Sequence, residues 1–182
     1  PGPFDAGPFR PPSTGAYLGA WIKPEVLTHA GRLEAVAGLE DDLGRRLDIL
    51  NTYRRFEQLV GTESDREFLA QGANLMISWA TGDNRSITAG SHDKLIRQQA
   101  RAIRKVGKPV LLRMRWEMDR PNLRATMWSG QDYIAAWKHV RALFEEERAT
   151  NVSWVWCPTA EGFMRGDAPA FYPGDDQVDW TC

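Results

Sequence analysis

Apolar positions along the chain follow two alternating periods. Short apolar runs of strand length occur at residues 16–21, 47–56, 73–80, 110–116 and 152–157, and a sixth begins at 178–182. Between them, apolar residues recur at helical spacing over 32–43, 64–71, 91–106 and 131–146. In the last of these, Tyr133, Ala136, Trp137, Val140, Leu143 and Phe144 form one inward stripe. The helix boundaries carry matching signals. Ser64 and Glu67 have capping-box spacing, Gly72 stands as a stop, Ser91 precedes the third helix and Gly107 follows it.

Strands that alternate with helices in this way form a parallel sheet with helical crossovers, either doubly wound or closed as a (β/α)8 barrel. No Gly-rich phosphate turn follows the first strand, because Gly15 and Gly19 precede it or lie within it. That absence also disfavours a nucleotide-cofactor enzyme. Several strands end instead in aromatic or charged residues, which favours the barrel, whose sites are built from strand C-terminal ends. Trp21, Trp79, Glu117 and Trp156 are therefore expected around one mouth. A whole barrel needs eight strands and typically about 250 residues. The fold class is thus α/β, an incomplete (β/α)8 TIM barrel of about five to six units, occupying residues 15–182. Residues 1–14 (PGPFDAGPFRPPST), with five prolines and two glycines, read as an extended tail or linker.

Composition narrows the chemistry. A net charge of −1 with both signs interspersed offers no basic stripe, so no nucleic-acid partner is expected. No apolar run is long enough to span a bilayer, and the opening on Pro1 without a signal-peptide pattern reads as a processed or trimmed product. The three histidines (His29, His92, His139) are scattered and two cysteines cannot hold a metal alone, so neither metal nor cofactor is expected. Cys157 and Cys182 lie on consecutive strands, where a disulfide and two buried thiols are both open. Eight tryptophans are more than a core of this size needs. Their flat apolar faces suit the C–H faces of sugar rings, although each one alone also suits a core.

The segment PVLLRMRWEMDR, residues 109–120, brings charges to the end of a buried strand. Regular alternation would put Arg113, Arg115 and Glu117 on one face and Leu112, Met114 and Trp116 on the other. If that first face is the barrel lumen, Glu117 stands in the mouth. The alternative is an Arg–Glu ion pair that only packs the rim.

Here the sequence resembles the family 26 glycoside hydrolases of clan A, best known for endo-β-1,4-mannanases. The likeness runs through GAYLGAW (15–21), LDILNTYRRF (47–56), LMISW (75–79), PVLLR…EMD, VSWVWCPT (152–159) and YPGDDQVDW (172–180). It implies a secreted, retaining endo-glycosidase acting on a β-linked polysaccharide, most simply a β-1,4-mannan-like one, with Glu117 as general acid/base. Trp21, Trp79, Trp116, Trp156 and Tyr172, at or near strand ends where stacking on sugar rings is possible, are taken with Arg113 and Asp119 beside Glu117 as the substrate-binding candidates. Trp116 replaces the family's His before the Glu, Asp119 replaces its Asn, and DRPNL (119–123) departs from the usual continuation. The family's nucleophile, a Glu on strand seven, falls beyond Cys182. A retaining mechanism needs two carboxyls about 5 to 5.5 Å apart, so this chain alone is expected to be inactive. The competing expectation is a non-catalytic carbohydrate-binding barrel.

Overall fold

Strands buried on both faces must satisfy their main chain sideways. In this computed structural model, which describes residues 7–182, six parallel strands pair in chain order to form one curled half-barrel sheet. The elements are β1 (Gly19–Ala20), α1 (His29–Leu43), β2 (Ile49–Arg55), α2 (Glu63–Ala70), β3 (Asn74–Ala80), α3 (Asn84–Thr88) and α4 (Asp93–Val106). They continue with β4 (Val110–Met114), α5 (Arg124–Met127), α6 (Gly130–Glu146), β5 (Val152–Trp156), α7 (Ala160–Arg165) and β6 (Trp180–Thr181).

The register sorts the side chains into two sets. Leu50, Leu75, Val110 and Val152 lie in one row, and Thr52, Ile77, Leu112 and Trp154 in the next. These rows meet Ile96, Ala100 and Ile103 of α4 and the stripe of α6 in the main core. The α6 stripe is fully or almost fully buried, as its spacing predicts. The intervening positions face the concave side, where Leu111 and Val155 pack with Ile49, Met76 and Trp180.

One charge is built into the helix-facing layer. Arg54 is buried on β2 and pairs with buried Asp65 of α2 at 2.6 Å. The second oxygen of Asp65 accepts from the backbone of Gly61 and Thr62. Removing one partner of such a buried pair costs about 3–5 kcal/mol, because the other charge is stranded. Asp65 also explains a shift in the α2 start. The capping box is Thr62–Asp65, and Ser64, read from its spacing as the cap, is buried inside the helix. In the third predicted helix, α4 starts at Asp93, after an additional turn, α3, whose one buried apolar residue, Ile87, gives no periodicity to read.

Two further findings concern the ends of the domain. Residues 1–6 of the expected tail lie outside the described residues, but the segment after them is not a free linker. Phe9 is buried against Leu111 and Val155 in the lumen, its N–H donates to Ser153 Oγ at 2.7 Å, and its ring meets Tyr17 and Trp180. The cysteines pair with each other. Because Trp156 is in register with Thr181, Cys157 and Cys182 are the next neighbours across the β5–β6 ladder, with a Cα–Cα distance of 4.9 Å. That lies within the range a disulfide spans. Sequence spacing obscured this because β6 starts only at Trp180.

Two stability effects follow. Replacing both cysteines by serine should lower the unfolding free energy by about 3–4 kcal/mol, read as a lower guanidinium midpoint. Equal midpoints for wild type and variant would show that the cross-link is not formed. Phe9→Ala should cost about 3 kcal/mol; an unchanged denaturation curve would mean that the segment does not plug the lumen.

Candidate active site

The chain leaves β4 by breaking alternation. Arg115 and Glu117 both have left-handed backbones, with φ of 40° and 56°. Two main-chain bonds hold this kink between the neighbouring strands: Arg115 N–H donates to Trp79 O at 2.9 Å, and Glu117 N–H donates to Cys157 O at 2.6 Å. Arg113, still on the strand, faces inward. Its Nε and Nη2 donate to Ser78 Oγ at 3.0 and 2.7 Å, and Ser78 donates in turn to Asn51. Glu117 sits half-buried on the rim and pairs with Arg120 at 2.7 Å.

An aromatic strip lies beside these groups. Trp21 and Tyr53 meet edge-on at 5.4 Å, and Tyr53 meets Trp116 at 4.9 Å. The Arg113 guanidinium lies 5.8 Å from the Tyr53 ring centre and 5.7 Å from that of Trp116. Trp21 and Tyr53 are 50% and 40% exposed, so the strip faces solvent rather than the core. Beneath it, burial pulls the Arg115 guanidinium below its usual range, with Tyr133 and Glu117 acting the other way. Tyr133 is fully buried and donates to Met114 O at 3.2 Å. Burial raises this phenol well above its ordinary value.

Of the residues singled out in the sequence, Trp21, Arg113, Trp116 and Glu117 are brought together. Four are not. Trp79 is fully buried on the helix-facing side and donates its N–H to Phe56 O. Trp156 is buried in the same layer, donates to Phe171 O and packs on Tyr172. Both ride on the strand face opposite to the lumen, where a one-residue phase reverses every side chain. Tyr172 is held by its hydroxyl on Asp175, a bond that raises its phenol above the usual value. Asp119 is buried and accepts from the Thr159 N–H and hydroxyl, clamping the loop after β5. A Cβ on Gly162 would fall 1.7 Å from Asp119 Oδ2, so this clamp requires glycine there. Tyr53 is the rim residue that sequence reasoning missed. Its signal was present, since Tyr53 alternates with Thr52 and Arg54, which are buried on the other face. Among the described residues, no group of three or more His, Cys, Asp or Glu side chains is arranged to hold a metal.

Fold and site together define part of a (β/α)8 barrel with a carboxyl on the rim of its fourth strand. A β-mannanase from a symbiotic protist of the termite Reticulitermes speratus shares this fold, with a TM-score of 0.66 at 16% identity over 98% of this chain and 64% of that one. A GH26 β-mannanase from Bacteroides ovatus gives the same TM-score and identity over 93% of this chain and 61% of that one. The fold is therefore that of the family 26 enzymes, and the resemblance read from the sequence is supported. In sequence, the chain is 25% identical over 181 residues to Endoglucanase H of Acetivibrio thermocellus, covering 93% of this chain and 19% of the relative. It is 32% identical over 109 residues to the β-1,3-xylanase TXYA of a Vibrio species, covering 55% of this chain and 22% of the relative. It thus spans about a fifth of the length of these curated relatives. No protein-family model matches it.

The buried phenol makes stability depend on alkaline pH. Because folding holds Tyr133 neutral, its contribution is full below pH 10 and is lost as pH rises through the raised folded value. Wild type should therefore lose stability more steeply above pH 10 than Tyr133→Phe, measured as unfolding midpoints across an alkaline series. Parallel curves would show that Tyr133 is not the coupled group.

Proposed function

We propose that this chain supplies the first six strands of the catalytic barrel of a retaining endo-glycoside hydrolase, with Glu117 as general acid/base. The observation that carries this is the placement of Glu117 on the strand-four rim beside the solvent-facing strip of Trp21, Tyr53 and Trp116. Indole and phenol rings offer apolar faces to pyranose C–H faces, which aligns a glycan chain across the rim. Glu117 then protonates the glycosidic oxygen as the bond breaks, and its carboxylate afterwards takes a proton from the incoming water. A second carboxyl about 5 to 5.5 Å away must attack the anomeric carbon. By the family resemblance, a Glu of strand seven fills that role. Asp119, Asp175 and Asp179 are each engaged by loop or strand partners, so the six-stranded unit alone is proposed to bind glycan without cleaving it.

The proposed substrate is a β-1,4-mannan-like polysaccharide, in line with the mannanases that share the fold. The names of the sequence relatives make β-glucan and β-1,3-xylan the alternatives. An extracellular location is supported by the Cys157–Cys182 disulfide, since such cross-links persist in oxidising compartments. No helix among the described residues is long and apolar enough to cross a membrane.

The intact natural protein and its Glu117→Gln variant should be compared on mannan, glucomannan, mixed-linkage glucan and both xylan linkages by reducing-sugar release. The variant should lose roughly 10²–10⁴-fold in rate on one substrate while retaining binding. Equal activity in both proteins, or none in either, would make Glu117 a structural partner of Arg120 and favour the non-catalytic sugar-binding barrel.

A further inference from the structure

Trp128 stands apart from the strip, on the connection from β4 to α6. Trp128 is 46% exposed, so it is not a core filler. Its backbone has φ of 61° and ψ of −94°, a conformation that is strained for any residue with a side chain. The strain is held by two contacts. The indole N–H donates to Asp83 Oδ2 at 2.5 Å, and the Arg85 guanidinium lies 4.2 Å from the ring centre, itself tied to Asp132 at 3.0 Å. Arg85 covers one face of the ring, and the residue keeps close to half of its surface open to solvent. Residues distant in sequence thus lock one aromatic surface against solvent, a preorganised platform rather than a mobile side chain.

This platform borders a cavity of about 260 Å³, lined also by Arg120, Arg124, Asp167 and Phe171. Arg120 connects the cavity to the rim, since the same side chain pairs with Glu117. Arg124, by contrast, has no ion pair among the described residues, which leaves its guanidinium free to donate to a ligand. A rigid indole beside several donors matches a pyranose, whose apolar C–H face is ringed by hydroxyls. We infer that Trp128 is the platform of an additional sugar subsite, extending the cleft from Glu117 toward the loop after β5 and taking a ring of the β-linked chain distant from the bond that is cut. This rests on the glycanase reading above.

A subsite remote from the cleaved bond is felt only by chains long enough to reach it. Binding of β-1,4-linked mannobiose and mannohexaose, and of the corresponding gluco- and β-1,3-xylo-oligosaccharides, should be measured calorimetrically on the intact protein carrying Glu117→Gln, which binds without cleaving, with and without Trp128→Ala. The ratio of hexaose to biose affinity should fall about tenfold in the variant. Trp128→Phe should recover part of it, and Asp83→Ala, which keeps the indole but frees it, should lie between. Melting temperatures of all variants show whether the fold is kept. If the protein with Trp128 intact binds the hexaose and Trp128→Ala keeps the length dependence, the subsite is wrong and the glycanase reading stands. If the protein with Trp128 intact binds none of the sugars, both fall.

Discussion

Two main-chain hydrogen bonds hold the end of β4 in a shape that no regular strand takes. Arg115 N–H reaches the carbonyl of Trp79 on β3, and Glu117 N–H reaches that of Cys157 beyond β5. Between them the backbone passes twice through the left-handed region, at a cost of order 1–3 kcal/mol per residue. The neighbouring strands supply the acceptors, so the kink exists only because the parallel sheet is assembled around it. The consequence is chemical. A regular continuation would carry Arg113, Arg115 and Glu117 along one line into the lumen. The kink instead leaves Arg113 inside on Ser78, half-buries Arg115 against Trp116, and sets Glu117 on the rim.

The scaffold under that rim is secured from both faces. On the helix side, an apolar layer with a neutralised Arg54–Asp65 pair fixes the register of β2 against α2. On the concave side, Phe9 from the Pro-rich segment fills space between Leu111 and Val155. Farther along the sheet, the disulfide joins the end of β5 to the residue after β6. The carbonyl that accepts from Glu117 belongs to Cys157, so the cross-link also steadies one of the two anchors of the kink.

Charge and aromatic surface share the rim in a consistent way. Arg113 and Arg115 each lie within 6 Å of the Trp116 ring, bringing cations to the aromatic faces. Glu117 answers with one negative charge and takes Arg120 as its direct partner. This setting fits the acid/base role proposed for Glu117, which calls for flat surfaces to align a glycan and a carboxyl that can turn from its partner toward the glycosidic oxygen.

The alternation of strands and helices, the inward stripe of α6, Gly107 as a helix stop, and Glu117 at the end of the fourth strand were all legible in the sequence, because each depends on local periodicity or on residues adjacent in the chain. The family 26 likeness was legible for the same reason, as short motifs in order. What the sequence could not decide was phase. Trp79 and Trp156 sit at strand ends as read, yet the pleat turns them to the helices, while Tyr53 turns to the mouth. Asp119 looked like a rim acid and became the clamp on Thr159. Phe9, the cysteine pair and the Trp128–Asp83 contact join residues far apart in the chain. Only the assembled sheet sets their distances, since a side chain's face and its remote neighbours follow from register and packing rather than from its place in the sequence.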